Sequence, residues 1–581
     1  MKRNVKKLLV LIIIFLNVVS FTGCDSIFSD VHPDNHVIYN ASVYYKFNVP
    51  FLTVSGTSFE MGYQYGVLLK DRLSRVYSNL RYLEKTVLRN LPIWIRVFSG
   101  IIMEFVVLKA KRDLPEEYIE EIKGISYGSG IPERDILFAS FIPELYNFSC
   151  TSFVKVTNGN ILHGRNLDYY FPLIGENPIV IRYKPSGKIP YTAIGCVGYP
   201  GVFTGMNEKG ITVSVDAAPL AESSDSRTAP ITFEIRYILS NASSIEDVDK
   251  ILKNYHSIKG WMLIVGSARE HTGVVYNIAG SHIKKSLMAN GYIAVTNTFL
   301  DNSFAHKYMR LHDAGSASSM SRLFEINKFV SDIHSPIDAI SVLSNTDFNH
   351  YKNAIGAGDV TLNNEGTLQS VVMDPKNDTI YFSSAPMYAG FNRYFAYNIK
   401  NDKVGVFRKP NPIANSALYK NFQSWFKNAE MYYLENNFKK AKSTMKNIDR
   451  PYLSQLMGEY WVDEKLGILK EDNELLKKAD FVIKEYPDYA LPYLIKSKIL
   501  FSRNNYVGTS IFANKALLSK ILFSYQKAEA YELLANAYRK MGKTMKAKQY
   551  AKLCMSLMGS YAANDKDEKV LSEMKSILKS H

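Results

Sequence analysis

The pattern of apolar residues changes near residue 150 and again near residue 410 of this chain of 581 residues. From residue 150 to about residue 400, short runs rich in β-branched and aromatic residues alternate with turn-forming segments, which predicts strands. Helical stretches near residues 230–254 and 317–333 are grouped among these strands. Beyond residue 411 the strand pattern stops. We therefore expect an α+β domain followed by an all-α domain, in a chain too long for one core.

Composition places the chain among ordinary globular proteins. Hydrophobic residues make up 46% and charged residues 22%, which argues against disorder. The formal net charge is +15, and much of it lies in residues 411–581. An anionic membrane surface or a nucleic acid would suit such a charge. A Lys-rich, solvated helical surface accounts for it more simply, and we expect no nucleic-acid partner.

The first 23 residues have the pattern of a bacterial lipoprotein signal peptide. A basic segment, MKRNVKK, precedes the apolar run LLVLIIIFLNVVSF, which is short for a transmembrane span. The run ends in FTGC, which resembles the lipoprotein cleavage box. We expect export, cleavage before Cys24, lipidation of its thiol and anchoring to a membrane of the cell envelope. Residues 24–45 then form a tether. The alternative is an ordinary secretory signal with an incidental cysteine.

Cysteine is rare in this chain, and one of its four cysteines stands in the segment NFSCTSF. If Cys24 is lipidated, Cys150, Cys196 and Cys554 remain, and an odd number leaves at least one free thiol. The sequence has no C-x-x-C motif or Cys/His cluster, so we expect no structural zinc site. Cys150 is therefore a packed apolar residue, half of a disulfide or a nucleophile.

Cys150, Arg165 and Asp168 form a candidate catalytic group. A thiol becomes strongly nucleophilic when it is deprotonated, and a nearby positive charge lowers its pKa. Two bases remain open. His163 would give a papain-like Cys/His pair. Alternatively, cleavage before Cys150 frees an α-amine with a pKa of roughly 8, which serves as the base for its own thiol.

A second motif, GISYG at residues 124–128, fits the G-x-S-x-G pattern of serine hydrolases. That motif requires a strand before the Ser. Here EEYIEEIKG precedes it, which is typical of the end of an amphipathic helix. We interpret the match as accidental and place Ser126 in a Gly-rich turn.

Several separate segments resemble the cysteine N-terminal-nucleophile (Ntn) hydrolases. SCTSF and HGRNLDYY, which contain Cys150, Arg165 and Asp168, look like the core of the acyl-CoA:6-aminopenicillanic acid acyltransferase group. GTSFEMGYQYG and EEIKGISYGSGIP look like its leader, and GYPGVFTGMNEKGITVSVD, AVTNTF and LQSVVMDPKNDTIYFSS look like its later strands. The group is related to acid ceramidase, N-acylethanolamine acid amidase and the choloylglycine hydrolases. The resemblance covers residues 45–400 in order.

The resemblance implies a four-layer αββα fold. Residues 46–149 would be a helical leader and residues 150–410 the Ntn-hydrolase core. It also implies that the chain cleaves its own Ser149–Cys150 bond and that Cys150 is the nucleophile. The two fragments would stay associated, and no metal or organic cofactor is required.

Further site residues follow from the same resemblance. Asn297 matches the residue whose side-chain amide helps to form the oxyanion hole, which stabilises charge that develops in the transition state. Asp216 stands where relatives usually have Asn, so its role in the site is open. Arg310 and Arg322 lie where some relatives place another active-site Arg.

Residues 411–581 carry a pattern similar to tetratricopeptide repeats. The segment at residues 528–551 has small and aromatic residues at the offsets where paired helices cross. These are Tyr531, Leu534, Ala535, Tyr538, Gly542 and Ala547. A weaker copy uses Trp425, Ala429, Tyr432 and Ala441. We expect a helical repeat array, which offers a surface for a protein partner.

The sequence as a whole predicts an exported amide hydrolase or acyltransferase. Its N-terminal Cys nucleophile would act through an acyl-enzyme on small or lipid-like N-acyl amides. One alternative is a non-catalytic lipoprotein scaffold that binds a partner through its repeats. The other is a papain-like cysteine protease that uses His163.

Overall fold

The computed structural model describes residue 38 and residues 40–89, 93–145, 148–169, 177–220, 228–309, 314–445, 452–558 and 565–579. The signal segment, Cys24, Arg310 and most of the tether lie outside these residues, so the expectations for them stay predictions. Two compact units divide the chain. The first runs to Phe304 and adds Asn327–Ser344 and Gly366–Ala414. The second comprises Ala305–Ile326, Asn345–Glu365 and the chain from Asn415 onwards.

The strands of the described chain form two sheets. The first sheet has the order β1-β2-β5-β6-β7-β8-β9-β10-β11, and the second has the order β12-β3-β4-β13-β14-β15-β16. Neighbouring strands are antiparallel except β2 and β5, which are parallel. In chain order, from β1 to β16, the strands are Ser42–Lys46, Val49–Gly56, Ser149–Thr157, Asn160–Asp168, Pro178–Pro185, Tyr191–Cys196, Thr204–Asn207, Ile211–Ala218, Gly260–Ser267, Thr272–Ala279, His282–Leu287, Tyr292–Val295, Thr367–Asp374, Thr379–Ser384, Tyr394–Asn398 and Lys403–Arg408.

The helices before residue 345 lie between or before these strands. In the leader they are Ser58–Leu68 (α1), Lys70–Arg89 (α2), Ile93–Asp113 (α3), Glu116–Ser129 (α4), Glu133–Ser140 (α5) and Ile142–Leu145 (α6). Among the strands they are Ile231–Asn241 (α7), Ile245–Leu252 (α8), Asn302–Tyr308 (α9), Ala314–Phe329 (α10) and Pro336–Leu343 (α11). Helical structure predicted near residues 230–254 and 317–333 is therefore confirmed.

The two sheets stack face to face with helices outside them. Strands β3 and β4 contact β8 and β9 of the other sheet. On the outer faces, α1 packs on β2 and β5, and α11 packs on β4 and β13. Between the sheets lies an apolar core that includes Phe51 and Val180 from one sheet and Val371, Phe382 and Phe395 from the other. The layers thus follow the order helix, sheet, sheet, helix.

The leader contains strands as well as helices, which differs from the helical prediction. Strand β1 begins inside the segment predicted as a tether, and β2 forms five ladder pairs with β1 and a parallel ladder with β5. Pro50 hid the signal of β2, since a proline disfavours a central strand. The predicted helix start is confirmed, because Thr57 and Glu60 form a capping box at the beginning of α1.

Glycines let α1 and α4 cross at close range. A Cβ atom on Gly62 would lie 2.0 Å from the carbonyl oxygen of Glu121, and one on Gly124 would lie 2.2 Å from that of Phe59. The GISYG segment is therefore part of a helix crossing. Ser126 lies within α4, so the prediction of a Gly-rich turn was wrong. The absence of a preceding strand confirms that the serine-hydrolase match is accidental.

The sequence of residues 91–110 is strongly apolar and predicts a buried helical hairpin, but most of it lies in the single helix α3, so the hairpin prediction was wrong. Met103 and Val107 are buried, whereas Phe105 and Leu108 are exposed. Among the described residues, no helix combines the length and apolar character needed to cross a membrane.

Beyond residue 415 the described chain is helical. Gly542 has a φ of 72° in the turn between two of these helices, where its lack of a Cβ avoids strain. Leu534, Ala535 and Ala547 are buried around this turn, as the repeat pattern predicts. The repeat family itself stays a prediction. The helices are Ala417–Leu434 (α12), Phe438–Met445 (α13), Leu453–Leu466 (α14), Asn473–Glu485 (α15), Ala490–Ser502 (α16), Tyr506–Leu517 (α17), Ser524–Lys540 (α18), Thr544–Met558 (α19) and Asp565–Lys579 (α20).

Candidate active site

Strands β3 and β4 bring Cys150 and Arg165 together. The two strands are antiparallel, with Cys150 opposite Leu167 and Ser152 opposite Arg165. Because alternate residues of a strand share a face, the thiol and the guanidinium lie on the same face of the sheet. Nη2 of Arg165 donates to Sγ of Cys150 across 3.3 Å, and both side chains are buried. The predicted pairing of thiol and cation is therefore present.

Asn297 reaches Cys150 from a distant part of the chain. Strand β12 runs antiparallel to β3 and pairs Val295 with Ser152, so the chain beyond β12 continues toward Cys150. The backbone N–H of Cys150 donates to Oδ1 of Asn297 at 2.9 Å. The Nδ2 group of Asn297 donates to the carbonyl oxygens of Phe148, at 2.9 Å, and Ala217, at 2.7 Å. Asn297 thus holds the backbone on both sides of the Ser149–Cys150 bond.

Partners from the opposite sheet fix the position of Arg165. Nη1 donates to Oγ1 of Thr204 at 2.6 Å, and Nη2 donates to the carbonyl oxygen of Val215 at 3.0 Å. Nε lies 3.8 Å from Oδ1 of Asp216. Asp216, whose role the sequence left open, is therefore the buried carboxylate that faces the site's guanidinium.

A chain of buried polar side chains extends from Asp216 into the space between the sheets. Oδ1 of Asp216 accepts from Ser152 at 2.8 Å, and Ser152 accepts from Ser214 at 3.1 Å. Oγ of Ser214 lies 2.8 Å from Nε2 of His163, whose Nδ1 lies 2.9 Å from Oγ1 of Thr212. Since the two serine hydroxyls donate toward Asp216, Oγ of Ser214 accepts from Nε2 of His163.

His163 is held as part of this network and lies far from the thiol along the strand. Its partner on β3 is Val154, four residues from Cys150, which corresponds to about 13 Å. Burial, together with the nearby charge of Arg165, lowers the pKa of His163 to about 3. The imidazole is therefore neutral and engaged with hydroxyl groups. This geometry argues against the papain-like alternative.

The thiol of Cys150 is not activated in the continuous chain. Burial raises the pKa of Cys150 to about 12, although the Arg165 guanidinium acts to lower it. The carboxylates of Asp216 and Asp168 raise this pKa further. At neutral pH the thiol is therefore protonated, and its use as a nucleophile requires a base.

Asp168 lies across the strand pair from the predicted cleavage position. It stands opposite Ser149 in the β3–β4 ladder. Its Oδ1 accepts from Oγ1 of Thr367 at 2.7 Å, and its side chain is buried. The structure thus brings Cys150, Arg165, Asp168, Asp216 and Asn297 into one neighbourhood.

An apolar pocket adjoins this group. Phe148, Leu167 and Phe203 are among the residues that line it, and Arg165 lies 5.8 Å from the ring centre of Phe203. Residues from both sides of the Ser149–Cys150 bond line the pocket. They are Val76, Leu80, Ala139, Ile142, Pro143 and Phe148 before the bond, and Leu167, Tyr169, Cys196, Val197, Gly198, Tyr199, Phe203, Leu368 and Gln369 after it.

Arg322, Arg310 and Cys24 were also predicted from the sequence to have a functional role. Arg322 lies in the second unit, where it donates to Ser318 and to the carbonyl oxygen of Asp359. Arg310 and Cys24 fall outside the described residues. Within the described part of the chain, no group of His, Cys, Asp and Glu side chains could hold a metal ion.

Sequence reasoning missed the polar network that supports the site. Thr212, Ser214 and Asp216 alternate with valines along β8, so they share one face of an otherwise apolar strand. This alternation was a readable signal for a buried polar face. By contrast, no local signal identifies Thr204 as a partner of Arg165, because the contact depends on how the two sheets stack.

Part of this chain is similar to known proteins. Residues 154–386 match the family described as acyl-coenzyme A:6-aminopenicillanic acid acyl-transferase. N-acylethanolamine-hydrolyzing acid amidase from Oryctolagus cuniculus is 31% identical over 183 residues, covering 30% of this chain and 51% of the relative. Acid ceramidase from Mus musculus is 26% identical over 206 residues, covering 30% of this chain and 52% of the relative. The chain thus spans about half the length of these curated relatives.

A solved structure that matches this chain has lower sequence identity to it than these relatives. A mutant of conjugated bile acid hydrolase from Clostridium perfringens is 15% identical, covers 45% of this chain and 96% of that chain, and has a TM-score of 0.30.

Proposed function

We propose that this protein hydrolyses N-acyl amides, or transfers their acyl groups, with the thiol of Cys150 as nucleophile after self-cleavage of the Ser149–Cys150 bond. The observation that carries the proposal is the geometry at Cys150. Its thiol contacts the guanidinium of Arg165, while its backbone nitrogen is held by Asn297. The similarity to an amidase and a ceramidase supports amide bonds as the target.

Self-cleavage begins with attack of the Cys150 thiol on the carbonyl carbon of Ser149. The carbon–sulfur bond forms, the carbon–nitrogen bond breaks, and the proton of the thiol passes to the nitrogen, which becomes an amine. Water then hydrolyses the thioester, which leaves a carboxylate on Ser149 and a free thiol on Cys150. The new α-amine has a pKa of roughly 8 and can act as the base that the buried thiol lacks.

Cleavage also changes what Asn297 can do. In the continuous chain its Nδ2 group donates to the carbonyl oxygen of Phe148. Phe148 lies at the end of the leader fragment, and movement of this new chain end away from Asn297 would release that hydrogen while the rest of the leader stays bound. The amide is then free to donate to the substrate oxygen that becomes negatively charged during attack, which is the role of an oxyanion hole. Oδ1 of Asn297 meanwhile accepts from the new amine.

The pocket beside the site is suited to an acyl group. Leu167 and Phe203 line it next to the thiol and guanidinium, and most of its other lining residues are apolar. Apolar lining favours an acyl chain because burial of each methylene group contributes about 0.8 kcal/mol. Residues of both fragments line the pocket, so we propose that the leader stays bound in the mature protein.

A denaturing gel with N-terminal sequencing tests the proposal. The purified protein is expected to yield a fragment that begins at Cys150, and Cys150→Ala is expected to remain intact. Cys196→Ala is the matched control, because Cys196 is also a buried thiol and should leave cleavage unaffected. An intact wild-type chain that hydrolyses amides, or a Cys150→Ala chain that still splits at this bond, would contradict the mechanism.

We further propose that lipidated Cys24 anchors the protein in a bacterial cell envelope and that the C-terminal helices bind a protein partner. Metabolic labelling with a fatty acid tests the anchor, with Cys24→Ala as the control.

The alternative of a non-catalytic scaffold predicts no turnover of any N-acyl amide by the cleaved protein.

A further inference from the structure

Gln369 is a polar residue in the otherwise mostly apolar pocket beside Cys150. It stands opposite Leu167 in the ladder of β13 and β4, and Leu167 stands opposite Cys150 in the ladder of β4 and β3. Directly opposed residues share a face, so the three side chains form a row across three strands. Two strand spacings separate the ends of this row by about 10 Å. A ligand that reaches Cys150 through the pocket can therefore also reach Gln369.

The orientation of the Gln369 amide is fixed by its neighbours. Nε2 donates to the carbonyl oxygen of Gly195 at 3.1 Å and contacts Sγ of Cys196 at 3.5 Å. A flipped amide would place Oε1 against the Gly195 carbonyl, and two acceptors repel. Oε1 therefore points away from Gly195. Oε1 has no hydrogen-bond partner in the described part of the chain.

A buried acceptor without a partner is unfavourable. Gln369 is 1% exposed, so bulk solvent does not reach it. Any ligand that fills the pocket with alkyl groups alone keeps Oε1 unpaired, whereas a ligand with a donor at this depth satisfies it. Sites built in this way discriminate strongly against analogues that lack the donor.

We propose that the acyl part of the substrate carries a hydroxyl group that donates to Oε1 of Gln369, so that the preferred substrates are N-(hydroxyacyl) amides. This inference rests on the function proposed above and assigns the acyl class. The residues that line the pocket in the described chain include no Asp, Glu, Lys or Arg. A neutral donor fits such a pocket, while an ammonium group would be buried without a counter-charge.

Competing substrates test this assignment in the wild-type protein. The probes are aminocoumarin amides of straight-chain acids with eight to twelve carbons, each with a hydroxyl group at one position along the chain. Plain and methoxy acids of equal length serve as references, since a methoxy group accepts but does not donate. At the best position, kcat/KM for the hydroxyacyl amide is expected to exceed both references by about tenfold or more.

Two variants separate the hydrogen bond from pocket shape. Gln369→Met removes the acceptor at similar volume, and the ratio of hydroxyacyl to plain acyl kcat/KM is expected to fall to about one. Leu368→Met is the matched control, because Leu368 also lines the pocket but offers no acceptor, and its ratio should stay high. A wild-type ratio near one at every position, or a high ratio that survives Gln369→Met, overturns the proposal.

Binding of the free acids distinguishes a wrong assignment from a wrong enzyme function. Calorimetry with the intact Cys150→Ala chain is expected to give tighter binding of the hydroxy acid than of the plain acid. If that preference exists and no amide is hydrolysed, the proposed function fails while the role of Gln369 stands. If amides are hydrolysed and neither assay shows a preference for the hydroxyl group, the role of Gln369 is refuted and the enzyme function stands.

Discussion

Replacing Asp216 by Asn is expected to change the stability of the fold and the reactivity of Cys150 in opposite directions. The new amide oxygen can still accept the hydrogen bond from Ser152, so the shape of the site is kept. The negative charge that faces Arg165 is lost, and both of these side chains are buried. The substitution therefore separates the effect of charge from that of hydrogen bonding.

The cost in stability follows from the distance between the two charges. At an effective dielectric constant of about 20, unit charges separated by 3.8 Å attract by about 4 kcal/mol. Removal of one partner from a buried pair typically costs about 3–5 kcal/mol. Arg165 keeps its hydrogen bonds to Thr204 and Val215, which favours the lower end of this range. We expect a loss of about 3 kcal/mol in the free energy of unfolding.

The effect on reactivity has the opposite sign. The Asp216 charge raises the pKa of the Cys150 thiol, and Arg165 lowers it. Without the charge of Asp216, one of the causes that raise the pKa of Cys150 is absent while the effect of Arg165 remains, so the pKa of the thiol falls. A larger fraction of thiolate is then present at any pH below that pKa. Self-cleavage of Asp216→Asn is expected to reach a given rate at lower pH than self-cleavage of the wild-type chain.

Two measurements test these expectations. Urea denaturation in a Cys150→Ala background compares chains that are all intact, and the pH dependence of self-cleavage is followed with Cys150 present. Asp249→Asn is the control, because Asp249 forms an exposed ion pair with Lys285 and should cost less than about 1 kcal/mol. Unchanged stability, or a cleavage profile that stays in place or moves to higher pH, would refute the reasoning.

Three further substitutions probe other parts of the structure. His163→Ala should lower the free energy of unfolding by about 1–3 kcal/mol, because it leaves buried hydroxyl groups without a partner, while self-cleavage persists. Complete loss of cleavage in a folded protein would indicate that His163 is a base. Glu121 in the leader fragment accepts from Nη2 of buried Arg236 in the other fragment at 2.6 Å, so Glu121→Gln should let the two fragments separate at lower urea concentration on gel filtration. Separation at an unchanged urea concentration would contradict this. Gly124→Ala should cost about 1–3 kcal/mol by thermal unfolding, since its Cβ would overlap the carbonyl of Phe59; an unchanged melting temperature would contradict the close helix crossing.

The sequence predicts the elements of this fold better than their pairing. Runs such as TSFVKV and ILHGRNL correspond to β3 and β4, because alternating β-branched residues and turn signals act locally. The pairing of β12 with β3 joins segments far apart in the chain, and no local pattern specifies it. The leader strands were missed for a similar reason. Strand β2 is stabilised by its parallel partner β5, which lies more than a hundred residues away.

The residues of the candidate site also fall into those that the sequence could identify and those that it could not. Cys150, Arg165 and Asp168 could be identified because they lie on two adjacent strands joined by a short turn, so their spacing carries the geometry. Asn297 was identified from its resemblance to a family motif, and its contact with Cys150 depends on long-range strand pairing. Gln369 could not be identified from sequence. A glutamine in a strand is ordinary, and its meaning depends on the unpaired oxygen in a folded pocket.

The electrostatics of the site give a physical reason for linking activation to cleavage. In the continuous chain, burial opposes ionisation of the Cys150 thiol most strongly, one guanidinium favours it, and Asp216 and Asp168 add to the effect of burial. The nitrogen of Cys150 is then a neutral amide that can accept no proton. Under the proposed mechanism, breaking the Ser149–Cys150 bond converts this nitrogen into an amine that takes the thiol proton and becomes a cation beside the two carboxylates. The same event releases a hydrogen of the Asn297 amide, so base and oxyanion donor arise together from one bond cleavage.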